Sequence, residues 1–110
     1  MRTRRFATAI LVALVSAVLL TATLAAPADA ATGKTWNRLA KCESGGRWHI
    51  NTGNGYYGGL QFLASTWRAN GGSGMPHQAS RAEQIRVAEN LRSQAGFAPW
   101  PQCARKLGLL

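Results

Sequence analysis

A carboxylic acid occupies one position of a helical stripe that is otherwise apolar. The i, i+3, i+4, i+7 spacing of an amphipathic helix is followed by Trp36, Leu39, Ala40 and Glu43. Ser44-Gly45-Gly46 comes next and ends the predicted helix. Burial and the negative end of the helix dipole both disfavour a charged carboxylate, so we expect a raised pKa for Glu43. A carboxylic acid that keeps its proton near neutral pH can serve as a general acid.

The region after residue 30 contains only two other acids, Glu83 and Glu89. Glu83 falls at the start of a predicted helix, where a negative charge is favourable. Glu89 lies three residues from both Arg86 and Arg92, so we interpret it as a solvated ion-pair residue. Glu43 is therefore the candidate catalytic residue. The alternative is that Glu43 is a buried acid held by hydrogen bonds to nearby backbone.

Aromatic and neutral polar side chains surround Glu43 in the sequence. Flat aromatic faces with amides and hydroxyls suit a sugar polymer, whose rings have apolar faces and hydroxyl rims. We expect Trp36 and Trp67 in the core, and Tyr56 and Tyr57 on opposite faces of an extended segment. The side chains that could contact such a polymer are Trp48, Asn51, Thr52, Tyr56, Gln61 and Thr66.

Residues 1–30 have the pattern of a cleavable signal peptide. Arginines near the N-terminus precede an almost wholly apolar stretch from Phe6 to Leu20, and Ala28-Asp29-Ala30 matches a small-x-small cleavage motif. We place the mature start at Ala31 and expect a protein secreted to the cell wall, with Sec and twin-arginine export both open. The alternative is a retained membrane anchor, because the apolar stretch is nearly long enough to span a bilayer.

The chain has two cysteines, Cys42 and Cys103. Export would carry them to oxidising surroundings, so we predict a disulfide between them. A loop of that length would stabilise the fold by about 4 kcal/mol in the chain-entropy model, and the bond would pin the C-terminal part beside Glu43. The alternative is a metal site built from both cysteines with His49 and His77. No short ligand-pair spacing supports it, so we expect neither a metal nor a cofactor.

The part of the chain after residue 30 is strongly basic. It contains ten Lys or Arg and three Glu, a formal charge of +7. Such a charge draws a protein to anionic surfaces, and bacterial wall polymers and membranes are surfaces of that kind. Nucleic acid is the intracellular alternative. Export and the scattered placement of the basic residues argue against it.

The order of the predicted elements indicates an α+β class that is mainly helical, with a short β-hairpin. The turn signal Asn54-Gly55 lies between aromatic and aliphatic residues and predicts the hairpin. Four helices are predicted: one over Trp36–Glu43 capped by Thr35, one over Leu63–Ala69, one opened by the capping box Ser80/Glu83 and ended by Gly96, and one over Cys103–Leu107. The inner face of the third is predicted at Ile85, Ala88, Leu91 and Ala95, with Val87 at the flank.

Several blocks of the sequence are similar to one known family. The resemblance covers Trp36 to about Leu107 and is most specific from Cys42 to Phe62. These residues resemble the resuscitation-promoting factor domain of exported actinobacterial proteins that act on peptidoglycan and promote regrowth of dormant cells. The blocks that carry it are 36–46, 48–62, 65–67, 79–81, 83–85, 87–89 and 100–103.

The resemblance implies a compact fold related to lysozyme and the lytic transglycosylases, with residues 31–35 as a short N-terminal segment and residues 36–110 as the catalytic domain. It implies that Glu43 is the catalytic acid and that Cys42–Cys103 is the disulfide. It also implies that Tyr56, Gln61 and Thr66 line a sugar cleft.

The expected reaction is cleavage of the β-1,4 bond between N-acetylmuramic acid and N-acetylglucosamine. With no evident second acid, either a lytic transglycosylase or a muramidase would fit. We expect a monomer that binds peptidoglycan glycan strands, with a peptidoglycan endopeptidase as a candidate partner, and that binds neither nucleic acid nor membrane after signal cleavage. The alternatives are a non-catalytic peptidoglycan-binding growth-promoting protein and a cationic antimicrobial protein.

Overall fold

The computed structural model describes residues 31–110, so the predicted signal peptide over residues 1–30 lies outside the described residues. Four α-helices form the domain, and a short 3₁₀ turn at Pro76–Gln78 lies between the second and the third. The helices are α1 at Gly33–Ser44, α2 at Ala64–Ala69, α3 at Arg81–Ala95 and α4 at Pro101–Lys106.

Helix α1 begins earlier than the sequence pattern predicted. Its N-cap is Thr32, whose Oγ1 accepts a hydrogen bond of 3.2 Å from the backbone N–H of Thr35. The prediction that Thr35 is the cap is therefore wrong, because Gly33 and Lys34 are already helical. The predicted end is confirmed: Gly45 adopts a left-handed conformation (φ 71°), which halts the helix two residues after Glu43.

The core is built around the apolar stripe of α1. Trp36 is fully buried and packs edge-on against Trp100, with ring centroids 5.2 Å apart. Trp67 of α2 is also fully buried and meets Phe62 at 5.3 Å, so both tryptophans predicted for the core are confirmed. The other buried apolar residues are Leu39, Ala40, Leu60, Val87, Ala88, Cys103 and Ala104.

Helix α3 has the predicted cap but a different inner face. The Ser80 hydroxyl accepts from the N–H of Glu83 at 3.1 Å, as the capping box predicted. The buried residues are Gln84, Val87 and Ala88, whereas Ile85 is only half-buried and Ala95 is exposed. The prediction is right for Ala88, and Ile85 and Leu91 pack against the edge of the core. It missed Gln84, because a buried glutamine was not recognised as a core residue, and it placed the fully buried Val87 at the flank.

The buried amide of Gln84 ties α3 to the segment that follows α1. Its Nε2 donates to the carbonyls of Trp48 and Ala79 at 2.8 and 3.0 Å, and its Oε1 accepts from the N–H of Gly59 at 2.9 Å. Both N–H donors and the carbonyl oxygen of this amide have partners, as burial of a polar group requires. Gly58 must be a glycine here, since a Cβ would lie 2.6 Å from Gln84 Oε1.

The predicted hairpin is reduced to two isolated antiparallel β-bridges. Asn51 pairs with Tyr57 around the Asn54-Gly55 turn, and Tyr57 pairs with Phe62 through two hydrogen bonds of 2.9 Å. The predicted division of the tyrosines is confirmed: Tyr56 is 44% exposed, whereas Tyr57 is half-buried and stacks on His77 at 5.4 Å. Between residues 31 and 110 no strand is longer than these isolated bridges.

A disulfide joins α1 to α4, as predicted. The Cα atoms of Cys42 and Cys103 are 5.8 Å apart. Both thiols are consumed, so the alternative of a metal site with His49 and His77 is wrong, and residues 31–110 contain no other group of metal-ligating side chains. Helix α4 begins at Pro101, two residues before its predicted start, because proline suits the first position of a helix.

The helices from residue 31 onward are short. The longest, α3, has 15 residues, and no helix in this part of the chain is long and apolar enough to cross a bilayer.

Candidate active site

An open depression of about 250 Å³ lies where the end of α1 meets the start of α4. Two chain segments far apart in sequence form its walls. The disulfide holds them together, since Cys42 directly precedes Glu43 and Cys103 directly follows Gln102. The lining residues are Glu43, Tyr56, Gln61, Pro99, Trp100, Pro101 and Gln102.

Glu43 projects into this depression from the last turn of α1. It is half-buried, and burial raises the pKa of its carboxyl group above the ordinary value, the direction that the sequence predicted. Across residues 31–110 no hydrogen bond or ion pair reaches the carboxyl group. The alternative of a buried acid held by backbone hydrogen bonds is thus wrong for the described part of the chain, and the carboxyl group of Glu43 is available to a ligand in the depression.

A second depression of about 150 Å³ adjoins the first. The two share Tyr56, Gln61, Pro99 and Trp100, so they form one continuous groove. The second part is more apolar and is completed by Phe62, Leu63, Thr66 and Leu91. Glu43, Pro101 and Gln102 line only the first part, which therefore forms the Glu43 end of the groove.

The structure brings four of the predicted site residues to the groove: Glu43 at one end, Tyr56 and Gln61 where the two parts meet, and Thr66 in the second part. Tyr56 is the most exposed aromatic residue there, so its ring is available to a ligand. The roles of these residues in binding a sugar stay predictions.

Trp48, Asn51 and Thr52 line neither part of the groove. Trp48 packs against the core, and the guanidinium of Arg81 lies 5.3 Å from its ring centroid. The Asn51 side chain accepts from the N–H of Gly53 at 3.1 Å, which shapes the turn. These observations give structural roles to Trp48 and Asn51, and sugar binding by these three residues stays a prediction.

Gln61 has an unusual backbone conformation at the centre of the groove. Its φ of 54° makes it the one non-glycine residue with positive φ between residues 31 and 110. The side-chain Nε2 donates to the Gly58 carbonyl at 3.0 Å, and Oε1 is 3.5 Å from Asn54 Nδ2. The amide of Gln61 therefore holds its own loop as well as facing the groove.

The C-terminal wall of the groove was not among the predicted site residues. Pro99, Trp100, Pro101 and Gln102 were treated as a turn and a helix start, yet they face Glu43. Trp100 is fixed by its Nε1, which donates to the Leu60 carbonyl at 3.0 Å. The predicted disulfide was the available signal, because it required the neighbours of Cys103 to lie beside Glu43.

Glu89 was also interpreted wrongly as a solvated residue. Its carboxylate accepts from Trp36 Nε1 at 2.7 Å, from the N–H of Ala31 at 3.0 Å and from Arg92 at 3.1 Å. Glu89 is 25% exposed and pairs with Arg92, whereas Arg86 pairs with Glu83. Neither Glu83 nor Glu89 lines the groove, so Glu43 is its one carboxyl group among residues 31–110.

Comparisons with known proteins identify the family of this chain. A family model described as a transglycosylase-like domain matches residues 30–103. Resuscitation-promoting factor RpfC of Mycobacterium tuberculosis (strain Erdman) is 44% identical over 108 residues, which cover 96% of this chain and 77% of that protein.

Two further relatives are longer than this chain. Resuscitation-promoting factor Rpf of Micrococcus luteus is 54% identical over 98% of this chain and 48% of its own length. Resuscitation-promoting factor RpfE of Mycobacterium tuberculosis (strain H37Rv) is 60% identical over 74% of this chain and 48% of its own length. The chain thus spans about half the length of several curated relatives. The match to the family model and the identity to these proteins show that the chain belongs to the resuscitation-promoting factor family and carries its transglycosylase-like domain.

Proposed function

We propose that this protein is a peptidoglycan glycosidase that cleaves the β-1,4 bond between N-acetylmuramic acid and N-acetylglucosamine. The observation that carries the proposal is the state of Glu43: half-buried, with a raised pKa, and without a hydrogen-bond partner in residues 31–110. The match to a transglycosylase-like family model supports a glycan-cleaving enzyme, and the relatives, which are resuscitation-promoting factors, support a growth-promoting role.

The groove supplies the surroundings that a glycan needs. The exposed ring of Tyr56 offers a face for a sugar ring, and the half-buried Gln61 and Thr66 offer an amide and a hydroxyl. The groove is open to solvent along its length, so a polymer can lie in it without threading a chain end. In this pose Glu43 faces the glycosidic oxygen.

Glu43 acts as a general acid in the first step. Its proton passes to the glycosidic oxygen as the bond from that oxygen to C1 of N-acetylmuramic acid breaks. Positive charge then develops on the muramic acid ring, and Glu43 is left as a carboxylate. A general acid of this kind contributes about 10²- to 10⁴-fold to a rate.

The second step uses Glu43 as a base, because the described residues offer no second carboxyl group in the groove. The 6-hydroxyl of the same muramic acid attacks C1 and gives its proton to Glu43, which forms a 1,6-anhydro product and restores the acid. Water attacking C1 in the same way would give a reducing end instead. Most glycosidases use a second carboxylate for the water reaction, so we favour the anhydro route.

Mass spectrometry of purified peptidoglycan digested with the domain from Ala31 tests the proposal. We expect soluble fragments that end in 1,6-anhydro-N-acetylmuramic acid, and none with the Glu43→Gln variant. Fragments with reducing ends would keep the glycosidase and replace the transglycosylase route. Binding without any cleavage would overturn the proposal in favour of a non-catalytic peptidoglycan-binding protein, and leakage from vesicles lacking peptidoglycan would favour the antimicrobial alternative.

The cellular role follows from the same reaction. We propose that the protein acts outside the cell after cleavage before Ala31, as a monomer on glycan strands, and that wall remodelling promotes regrowth of dormant cells. The formal charge of +7 from residue 31 onward supports attraction to an anionic wall. A peptidoglycan endopeptidase, which cuts the peptide cross-links, is the partner whose reaction would complement this one.

A further inference from the structure

We propose that Gln102 contacts the glycan directly at the Glu43 end of the groove. The inference rests on the proposed glycosidase function and adds a residue that sequence reasoning did not include. Gln102 lines the first depression and not the second, as Glu43 does. Its amide is therefore placed at the bond that is cleaved and not at the distal sugars.

The amide of Gln102 is free, whereas the amide of Gln61 is engaged. Among residues 31–110 the Gln102 side chain has no hydrogen-bond partner, while Gln61 bonds to Gly58 and Asn54. An amide presents two donors and an acceptor of two lone pairs, which match the hydroxyl and acetamido groups of the substrate. Gln102 can bind these groups without first breaking an internal hydrogen bond.

The backbone around Gln102 is held in place before substrate arrives. The next residue, Cys103, is bonded to Cys42, and Cys42 precedes Glu43. Trp100, two residues earlier, is buried and donates to the Leu60 carbonyl, and its own carbonyl accepts from the N–H of Ala104 at 2.8 Å. Gln102 and Glu43 are thus fixed relative to each other across a single disulfide, which limits the ordering cost of binding.

Two substitutions of Gln102 with matched controls test the inference. Gln102→Met keeps the length of the side chain and removes the amide, so kcat/KM should fall about tenfold or more, the equivalent of about 1.4 kcal/mol, at unchanged Tm. The control Gln78→Met replaces an exposed glutamine that lines neither depression and should leave kcat/KM unchanged.

Gln102→Glu places a second carboxylate at the Glu43 end. A like charge nearby disfavours deprotonation of Glu43, so the alkaline limb of the pH–rate profile should move to higher pH, whereas Gln78→Glu should leave it in place. Wild-type kcat/KM in Gln102→Met together with an unmoved limb in Gln102→Glu would overturn the inference.

A binding measurement separates failure of this inference from failure of the proposed function. In the Glu43→Gln background, Gln102→Met should weaken the affinity for peptidoglycan fragments about tenfold by calorimetry. If the wild-type domain cleaved nothing but this loss of affinity were seen, the enzymatic proposal would fall and the contact would stand. If cleavage were normal and Gln102→Met changed neither affinity nor kcat/KM, the proposed Gln102 contact would be rejected and the glycosidase function would be kept.

A second inference comes from the opposite end of the domain. Ala31 packs against the core, and its backbone nitrogen donates to Glu89 Oε2 at 3.0 Å. Cleavage between Ala30 and Ala31 would turn this N–H into an α-ammonium group. We infer that Glu89 holds the N-terminus that processing creates, so that removal of the leader strengthens the mature fold by a new ion pair.

The charges around this contact fix the expected pH dependence. Glu89 faces the Ala31 nitrogen from α3, Arg92 binds the other oxygen of the same carboxylate, and Lys34 of α1 is exposed. Pairing with a carboxylate raises the pKa of an α-amino group above its usual value of about 8. The added stability is thus complete below that value and is lost as pH rises through the raised pKa.

Thermal unfolding of two forms of the domain tests this second inference. The domain that starts at Ala31 with a free amine should have a higher Tm at pH 6 than the same domain with Nα-acetyl-Ala31. The two Tm values should converge above pH 10. Glu89→Gln should abolish the difference. Equal Tm values for the free and acetylated forms at pH 6 would overturn it.

Discussion

Two half-buried glutamates of this domain have opposite surroundings. The carboxylate of Glu89 accepts hydrogen bonds from Trp36, Ala31 and Arg92, whereas within residues 31–110 the carboxyl group of Glu43 accepts none. The two carboxyl groups are therefore similarly buried but differ in whether hydrogen-bond donors contact them. Three donors hydrogen-bond the carboxylate of Glu89, while burial without donors raises the pKa of Glu43. A buried acid is fitted for proton transfer when it lacks partners.

The two glutamates are found at opposite ends of one helix, where Glu89 holds the N-terminal part and Glu43 projects from the C-terminal part. Trp36, in the second turn of α1, is bonded to Glu89, and Glu43 occupies the last turn. Because Trp36 is held by a hydrogen bond and by its contact with Trp100, the rotation of α1 about its axis is fixed. Glu89 thereby helps to direct Glu43 into the groove from a distance, without touching it.

Replacing each acid by its amide tests the contrast between the two glutamates most directly. Glu43→Gln should lower the release of soluble glycan from purified peptidoglycan by about 10²- to 10⁴-fold, since an amide cannot donate the proton. The fold should remain intact by circular dichroism. Glu83→Gln is the matched control, because Glu83 lies outside the groove, and comparable glycan release by both variants would remove Glu43 from the mechanism.

The reverse pattern is expected at the other glutamate. Glu89→Gln should lower the free energy of unfolding by about 2 kcal/mol, because it weakens hydrogen bonds to a charged acceptor and leaves the buried Trp36 with a poorer partner. The folded fraction should still cleave peptidoglycan. Chemical denaturation measures the loss, and a variant as stable as the wild type would show that the three contacts contribute no net stability.

The pH dependence of cleavage should also distinguish the roles of Glu43 and Glu89. Activity requires protonated Glu43, so kcat/KM should fall as pH rises through its pKa, which burial places above that of an ordinary glutamate. Glu89→Gln should keep this alkaline limb. A wild-type profile that stays flat into the alkaline range would argue against an acid role for Glu43.

The smallest expected effect concerns stability. The folded state holds the Glu43 proton over a pH range in which the unfolded chain has already released it, so the free energy of unfolding decreases as pH rises through that range. Glu43→Gln avoids this loss and should be slightly more stable than the wild type at pH 7. The difference should vanish at pH values below the ordinary glutamate pKa of about 4.3. A less stable variant at pH 7 would reveal a stabilising contact of Glu43.

Local signals in the sequence predicted most of the helices, because caps, glycines and apolar spacing act within a few residues. The capping box at Ser80 and the stop at Gly45 are examples. The disulfide was predicted differently, from the presence of two cysteines and the expected export. Long-range polar contacts were not predictable in this way. Nothing near Gln84 indicates that its partners are Trp48 and Gly59, and the arginines beside Glu89 suggested a surface pair while its main donor, Trp36, lies 53 residues away.

The groove was predicted from one side only. The N-terminal residues that line it include the acid and two aromatic or amide side chains whose types suggested sugar binding. The opposite wall, residues 99–102, consists of prolines, a buried tryptophan and a glutamine, and such types carry no chemical signature. Their position followed from the disulfide, which the sequence did predict.

The disulfide joins positions 61 residues apart, and the groove spans the same interval. A nascent chain synthesised only as far as the hairpin region contains Glu43 but lacks residues 99–102, which form the opposite wall of the groove. The groove is therefore complete only after residues 99–103 have been synthesised and the disulfide has joined α4 to α1.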